Sequence, residues 1–294
     1  MLCEMDETEW LAERFEQHRP QMRAVAYRML GSVTEAADAV QNAWLRLSSS
    51  EADQIDNLGG WLTTVVAREC LHMLRARQQR REDHLDDRLP EVVVTAGAGL
   101  DPEQEVLLAD SVGLAMLIVL DTLTPAERLA FVLHDMFQLP FDEIARIVGR
   151  SPTAARQLAS RGRRRLQRAE IPAQVVDVAR HREVVEAFFA ASRAGKFQAL
   201  VKLLDPDVVL HADTGRGQPA GVYRGLAEVV KLVGARPGRE LHPVLVNGRV
   251  GGLVTSNGQP LWVIAFTVAG GKIAEIYGIR PDRVRGLGAV LPAG

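Results

Sequence analysis

Cysteine is scarce in this chain: among its 294 residues only Cys3 and Cys70 are cysteines. They form no C-x-x-C pair and no cluster with histidine, so a zinc site is not expected and both are expected to be reduced thiols. No apolar run approaches the roughly 18 residues of a membrane span, and no basic stretch leading into an apolar segment indicates a secretory signal. We therefore expect a cytoplasmic protein with no membrane partner, no metal and no cofactor.

The chain also lacks an excess of positive charge, since its net charge is −2. That value alone argues against nucleic-acid binding, but the charges are unevenly distributed. Residues 152–168 contain six arginines and no acidic residue, and residues 68–81 contain five arginines and one glutamate. Between these basic blocks, residues 82–110 contain nine acidic residues and one arginine. This organised pattern is typical of proteins whose basic segments meet nucleic acid.

Hydrophobic periodicity divides the chain into segments. Helical spacing runs from residue 9 to about residue 81, where Gly31 ends a first helix and Thr34 is the expected N-cap of the second. The stretch around Pro90 has no sustained period and reads as a linker. After Pro172, residues 178–204 are expected to form one amphipathic helix, or two with a break at Gly195. Short β-rich runs separated by Asn-Gly and Gly-Gly turns follow. The expected segments are a helical domain over 9–82, an acidic linker over 83–104, a second helical domain over 105–170 and an α+β domain over 178–294.

A helix-turn-helix is predicted over residues 141–168. Gly149 suits the turn because glycine adopts left-handed backbone conformations easily. Ser151 is an expected N-cap, and Pro152 fits the first helical position. The second helix then divides into an inner stripe of small and apolar residues and an outer polar face. The outer face comprises Thr153, Arg156, Gln157, Ser160, Arg161 and Arg164.

The outer face has the residue types that read base edges. Arginine recognises guanine, glutamine recognises adenine, and the hydroxyl groups of serine and threonine hydrogen-bond to either base. Arg163, Arg165 and Arg168 are placed to the side, where phosphates are expected. A solvated basic face on an ordinary helix is the simpler alternative. Because the cap, the turn glycine and the division into faces agree, DNA binding is favoured.

Residues 37–47 read Ala-Asp-Ala-Val-Gln-Asn-Ala-Trp-Leu-Arg-Leu. This run resembles the core-polymerase-binding helix of extracytoplasmic-function (ECF) RNA polymerase sigma factors. Taken alone, it is an amphipathic helix whose polar side faces solvent. The resemblance implies that core RNA polymerase is a partner and is bound by Asp38, Gln41, Trp44 and Leu45.

Two further segments resemble the same family, so the resemblance covers roughly residues 9–168. The run from Trp61 to Arg68, with Leu74-Arg75, is similar to the helix that recognises the promoter −10 element. Arginines near the end of that helix can hold the phosphates of melted DNA, whereas Trp61 stacks on a base or lies in the core. Residues 123–128 and the helix-turn-helix are similar to the −35-reading domain. The implied −10 contacts are Trp61, Arg68, His72, Arg75 and Arg77.

The C-terminal part begins with residues 181–189, which resemble the start of a SnoaL-like (NTF2-like) cone fold. One subgroup of ECF sigma factors carries such an extension, and there it regulates the factor. The subgroup's motifs correspond to Leu89, Pro90 and Glu91 in the linker, to Asp213 in a glycine-rich acidic run, and to Pro281 and Asp282 near the end. The implied fold is multi-domain: two all-α sigma domains, the second a helix-turn-helix, followed by an α+β SnoaL/NTF2-like cone domain.

The expected function is therefore promoter-specific initiation with core RNA polymerase, modulated by the C-terminal domain. One alternative is a polymerase-independent helix-turn-helix regulator that senses a small ligand in the cone domain. Another is an enzyme with a DNA-binding appendage. No pair of side chains has the spacing that general acid–base chemistry requires, so an enzyme is not expected. Candidates for lining a cone pocket are His211, Asp213, Tyr223, Trp262 and Tyr277.

Overall fold

The computed structural model of the chain describes residues 7–50, 55–81, 91–95, 114–168, 178–213, 221–233 and 238–290. The chain divides into two compact units, which are described separately. The first combines Met1–Asp86 with Met116–Ile171, and the second combines Asp87–Ala115 with Pro172–Gly294. No helix in the described ranges is long and apolar enough to cross a membrane.

The first unit is helical, as predicted. Its elements are α1 (Glu7–Leu30), α2 (Val33–Ser48), α3 (Leu58–Arg81), α4 (Leu114–Asp121), α5 (Pro125–Phe131), a π-helical turn (Val132–Met136), α6 (Phe141–Val148) and α7 (Pro152–Arg168).

The N-cap of α2 differs from the predicted one, and α5 has a cap that was not predicted. Ser32 rather than Thr34 is the N-cap of α2, because Ser32 is the extended residue directly before the first helical one. Its hydroxyl oxygen accepts a hydrogen bond from the backbone N–H of Glu35 at 3.3 Å. At α5, the Thr124 and Glu127 side chains form a reciprocal capping box, which satisfies two backbone donors at the helix start.

One apolar core runs through all of these helices. Phe15 of α1 packs edge-on against Trp44 of α2, with ring centroids 5.0 Å apart. Cys70 is fully buried, and burial raises the pKa of its thiol far above the ordinary value. It is therefore an inert core residue, as its position in the amphipathic pattern predicted.

The two predicted helical domains also contact each other within this unit. The guanidinium of the buried Arg28 on α1 lies 4.8 Å from the centre of the Phe137 ring, just after the π-helical turn. Arg68 of α3 donates a hydrogen bond to the backbone carbonyl of Arg146 on α6 at 3.3 Å. The helix-turn-helix thus contacts α3, and the segment just before it contacts α1.

The second unit is the helix-first α+β arrangement predicted. It contains β1 (Val92–Thr95), α8 (Val178–Arg193), α9 (Phe197–Leu203), β2 (Leu204–Ala212), β3 (Gly221–Arg224), α10 (Leu226–Val233), β4 (Arg239–Val246), β5 (Arg249–Ser256), β6 (Gln259–Ala269), β7 (Lys272–Ile279) and β8 (Val284–Arg285).

The strands described form one sheet in the order β3-β2-β7-β6-β5-β4-β1-β8. Two Asn-Gly turns connect β4 to β5 and β5 to β6, with positive φ at Asn247, Gly248, Asn257 and Gly258. Such turns match the twist of antiparallel strands, and their prediction is confirmed. Of the two alternatives for residues 178–204, the structure has two helices with a break at Gly195, since α8 ends before it and α9 begins after it.

Helix α8 covers one face of this sheet. Phe188 and Phe189 contact Phe266 of β6, with ring centroids 5.3 and 5.8 Å apart. Gly252 of β5 lies beneath this contact, where a Cβ would come within 2.7 Å of Leu241 and 3.2 Å of Phe189. Side chains alternate between the two faces of a strand, so Leu241 on β4 and every second neighbour share the helix-covered face.

Candidate nucleic-acid interface

The helix-turn-helix has the predicted geometry. Gly149 adopts a left-handed conformation with φ 72°. The Ser151 hydroxyl accepts a hydrogen bond from the N–H of Ala154 at 3.2 Å. A Cβ at Gly162 would lie 3.3 Å from Phe131, so α7 approaches α5 closely there. The predicted inner stripe is buried throughout: Ala155, Leu158, Ala159, Gly162 and Leu166.

The predicted outer face of α7 is accessible. Thr153, Arg156, Gln157, Arg161 and Arg164 are exposed, and Ser160 is half-buried. The Arg156 guanidinium lies 5.2 Å from the centre of the Phe141 ring. This cation–π contact helps to hold the arginine side chain in place. That these six residues read promoter DNA stays a prediction.

Two of the three arginines expected at phosphates are engaged within the protein. Arg163 forms an ion pair with Asp135 at 2.6 Å, and Arg165 forms one with Glu127 at 3.0 Å. The side chain of Arg168 lies outside the described residues. Sequence reasoning missed both acidic partners because they lie 28 and 38 positions earlier in the chain.

Helix α3 presents three of the five predicted −10 residues. Arg68, His72 and Arg75 are exposed and follow each other on one helix face. Trp61 is half-buried against the apolar core, as its alternative interpretation had it. Arg77 differs, because its guanidinium donates to the Glu35 carboxylate at 3.2 Å and to the Leu30 carbonyl at 2.9 Å. This arginine joins α3 to α1 and α2, and its −10 contact stays a prediction.

Helix α2 carries an unusual exposed stripe. Asp38, Gln41 and Leu45 are exposed, and Leu45 keeps 56% of its surface accessible although it is apolar. Trp44 instead faces the core. Sequence reasoning missed Glu69 of α3, which binds Asn42 at 3.2 Å and Arg46 at 2.9 Å and thereby fixes α2 against α3.

The linker contributes a strand to the second unit, where the sequence predicted no regular structure. β1 pairs antiparallel with β4 and parallel with β8. The Val93 N–H donates to the Asn247 side-chain oxygen at 2.8 Å, and the Asn247 N–H donates to the Val93 carbonyl at 2.8 Å. Glu91 forms an ion pair with Arg285 beside this pairing.

The residues predicted to be regulatory are thereby partly brought together. Asp213 is buried and pairs at 3.1 Å with Arg283, the last residue of the 3-10 turn Pro281–Arg283. Asp282 pairs with its neighbour Arg280 at 3.3 Å. Leu89 and Pro90 lie outside the described residues. Sequence reasoning placed Arg283 in the late motif and Asn247 in a turn without predicting their contacts, and it did not single out Arg285.

The helix-covered face of the sheet encloses a cavity of about 710 Å³. Of the predicted lining residues, Tyr223 and Trp262 line it. His211, Asp213 and Tyr277 do not line it. The rings of His211 and Tyr277 stack on the opposite face with centroids 4.8 Å apart, and the Tyr277 hydroxyl donates to Glu275 at 2.8 Å. Burial lowers the pKa of His211, against the opposing effect of Glu275. In the described part of the chain, no three acidic, histidine or cysteine side chains group as metal ligands would.

Comparison with known protein families identifies both helical regions. The family model for sigma-70 region 2 matches residues 14–81, and the model for sigma-70 region 4 matches residues 115–166. The chain is 38% identical over 291 residues to the ECF RNA polymerase sigma factor SigJ of Mycobacterium tuberculosis (strain ATCC 25618 / H37Rv), covering 92% of each chain. This chain belongs to the ECF sigma factors.

A further relative and a solved structure agree with the family. The M. tuberculosis (strain CDC 1551 / Oshkosh) protein named "Probable ECF RNA polymerase sigma factor SigI" is 34% identical over 278 residues, which is 94% of this chain and 96% of that one. The crystal structure of M. tuberculosis SigJ matches with a TM-score of 0.72 and 36% identity, covering 96% of this chain and 100% of that chain. The predicted fold class, with two sigma domains and a C-terminal cone domain, is confirmed.

Arg156→Ala and Arg161→Ala are each expected to weaken binding of the sigma factor–polymerase complex to a promoter with a −35 element. The loss is about 1–3 kcal/mol if the arginine reads a base. Fluorescence anisotropy with labelled promoter DNA measures it. Arg182→Ala, which removes one exposed arginine from α8, is the charge-matched control. Unchanged affinity in both α7 variants would reject the assigned face.

Leu45→Ala is expected to weaken binding to core RNA polymerase by roughly five- to thirty-fold, because an exposed leucine at an interface contributes about 1–2 kcal/mol when it is buried. Surface plasmon resonance against immobilised core enzyme measures the change. The temperature of thermal unfolding should stay the same, because the exposed Leu45 side chain contributes little to the apolar core. Ser48→Ala, three residues further along the exposed side, is the control, and an equal loss there contradicts a specific contact.

Proposed function

We propose that this sigma factor directs initiation with core RNA polymerase at promoters with −10 and −35 elements, and that its C-terminal domain modulates it by holding the linker. It acts in the cytoplasm with the polymerase, as an initiation factor rather than an enzyme. The observation that carries the regulatory part is strand β1, which comes from the linker between regions 2 and 4 yet lies between β4 and β8.

Several contacts support a firm hold on the linker. Val92 and Val94 are each only 1% exposed. Asn247 is equally buried, and its backbone and side chain both bond to Val93. A Cβ at Gly286 would collide with the Val94 carbonyl oxygen, so the chain after β8 crosses directly over the strand. Gly286 thus lies directly against the linker strand.

The first unit supplies the second argument. Regions 2 and 4 share one apolar core and are joined by Arg28 with Phe137 and by Arg68 with Arg146. The −10 and −35 elements are separate segments of DNA, so the two regions have to part before both are read. Arg68, a predicted −10 residue, has to exchange the Arg146 carbonyl for DNA. A linker fixed in the cone sheet restricts that separation.

Run-off transcription with core enzyme tests the proposal. Three forms are compared: the full chain, a chain ending at Ile279, which lacks β8 and Arg283, and a chain ending near Pro172, which lacks the cone domain. The form ending at Ile279 is expected to be more active than the full chain because its linker is less firmly held. Identical activity of all three contradicts regulation, and no start from any form at any candidate promoter contradicts the sigma function.

A second candidate function is a regulator that works without polymerase and responds to a small ligand. The cavity of about 710 Å³ favours it, since ligand sites in proteins have this size. A gel shift with purified protein alone separates the two candidates. Tight, sequence-specific binding to duplex DNA without core enzyme supports the regulator, whereas binding that needs core enzyme supports the sigma factor.

A further inference from the structure

The cavity of the cone domain has an apolar interior. Its deepest lining residues are almost fully buried: Phe188 at 2%, Ile276 at 1% and Phe266 at 6% exposure. Trp262, Ile264 and Val254 continue the apolar wall on β6 and β5. Such a surface binds an apolar body, because displacing water from it is favourable.

The other part of the lining is basic. Arg193 at the end of α8 and Arg239 at the start of β4 are both exposed and both line the cavity. Among the described residues neither forms an ion pair or a side-chain hydrogen bond. Arg239 lies two residues before Leu241, so it shares the helix-covered face of β4. An arginine presents a fork of N–H donors suited to carboxylate or phosphate.

An acidic residue and a histidine, Glu240 and His242, also line the cavity. Glu240 and His242 alternate with Leu241 on β4, and they contact each other at 3.4 Å. His242 also contacts the buried Thr255 hydroxyl at 3.0 Å. Because Glu240 and His242 alternate with Leu241, their side chains belong to the opposite face of β4. Arg193 and Arg239 are the arginines of the described lining. Two guanidinium groups at the cavity suit binding of an anion.

We propose that the cone-domain cavity binds an amphiphile with one anionic head group, its apolar body against Phe188, Phe266 and Ile276 and its head group paired with Arg193 and Arg239. The shared chemistry of the ligand is a single carboxylate or phosphate on an apolar chain. The inference does not require that the ligand controls transcription, and its test measures binding directly.

The test titrates the full-length protein with four probes below their micelle-forming concentrations: dodecanoate, dodecyl phosphate, dodecan-1-ol and hexanoate. Isothermal calorimetry gives the affinity. Tryptophan fluorescence gives the location, because Trp262 is the cavity tryptophan and Trp262→Phe removes its signal. Dodecanoate or dodecyl phosphate is expected to bind one to one, at least about ten-fold more tightly than the alcohol, since a charge-assisted hydrogen bond contributes at least that factor. Hexanoate is expected to bind more weakly than dodecanoate.

Variants assign the two parts of the site. Arg193→Gln with Arg239→Gln is expected to remove the preference for the anion while the alcohol still binds. Ile264→Trp, or Val254→Phe if the first variant fails to fold, is expected to abolish binding of every probe by filling the cavity. Arg182→Gln, an exposed arginine on the same helix, is expected to change nothing. Whichever of dodecanoate and dodecyl phosphate binds more tightly identifies the head group.

Three results would overturn the inference. They are absence of binding by all four probes, equal affinity for the alcohol and the anions, and an anion preference that persists in the doubly substituted variant. None of them bears on the linker or on promoter recognition, which are measured by transcription.

Discussion

The Val94→Asp variant is expected to release β1 from the sheet and to raise transcription from a cognate promoter by about ten-fold or more. Val94 is only 1% exposed, and burying a carboxylate there without a partner costs several kcal/mol. A four-residue strand at this place cannot compensate for that cost, so β1 leaves the sheet. The linker is then free, and regions 2 and 4 can separate to reach both promoter elements.

Val93→Asp is the matched control, since Val93 points to the other face of the same strand and is half-exposed. It introduces the same charge with little desolvation and is expected to keep β1 in place. Hydrogen exchange of the 91–95 backbone reports the release independently of activity, and circular dichroism checks that the cone domain stays folded. If exchange rises in Val94→Asp while transcription remains at the wild-type level, the linker does not control initiation.

Much of this fold could be predicted from local chemistry. The turn glycine, the N-cap and the two faces of α7 all concern residues within a few positions of each other. The Asn-Gly turns and alternating strands of the cone domain are equally local. Such features act through backbone conformation and neighbouring side chains, so one stretch of sequence contains the whole signal.

The linker strand could not be predicted in this way. Val92–Thr95 is a short β-branched run close to Pro90, which favours a loop. The residues that pair with it, Val246 and Val284, lie more than 150 positions later in the chain. The same limit applies to Arg77, whose partner Glu35 lies 42 positions earlier. Which residues pair across such a distance in the sequence depends on the topology of the fold. Hydrophobic periodicity gives no information about that topology.

The candidate site shows a similar division. The exposed stripe of α2 and the reading face of α7 followed from helical spacing. The cavity did not, because strand register decides which side chains face it. His211 and Tyr277 were expected to line it and lie on the opposite face, whereas Arg193 and Arg239 were not expected and line it. A shift of one residue along a strand exchanges the two faces, so composition alone could not distinguish them.

The contact between regions 2 and 4 leads to the second large prediction. Phe137→Ala is expected to shift the first unit toward a state in which the two regions are apart. The variant loses the aromatic ring over Arg28 and part of the shared apolar core, and Arg28 stays buried without that ring. The two losses amount to about 1–2 kcal/mol, which is roughly a five- to thirty-fold change in the equilibrium.

Pulsed electron paramagnetic resonance measures the separation, with spin labels at Ser48→Cys on α2 and Arg150→Cys in the turn before α7. Both positions are exposed, Cys70 is fully buried, and Cys3 is replaced by serine. Phe141→Ala is the control, because its ring contacts His134 and Arg156 within region 4. A long-distance population is expected in Phe137→Ala only. Its absence there, or an equal population in Phe141→Ala, contradicts a restraint at Phe137.

The linker strand and the Phe137 contact restrain the same separation through different surfaces. Distant sites without shared partners contribute additively to an equilibrium. The variant that combines Val94→Asp with Phe137→Ala is therefore expected to be more active in transcription than either single variant, by about the product of their factors until opening is no longer limiting. Activity equal to that of Val94→Asp alone would mean that the linker strand is the sole restraint, and that regions 2 and 4 part spontaneously once β1 is free.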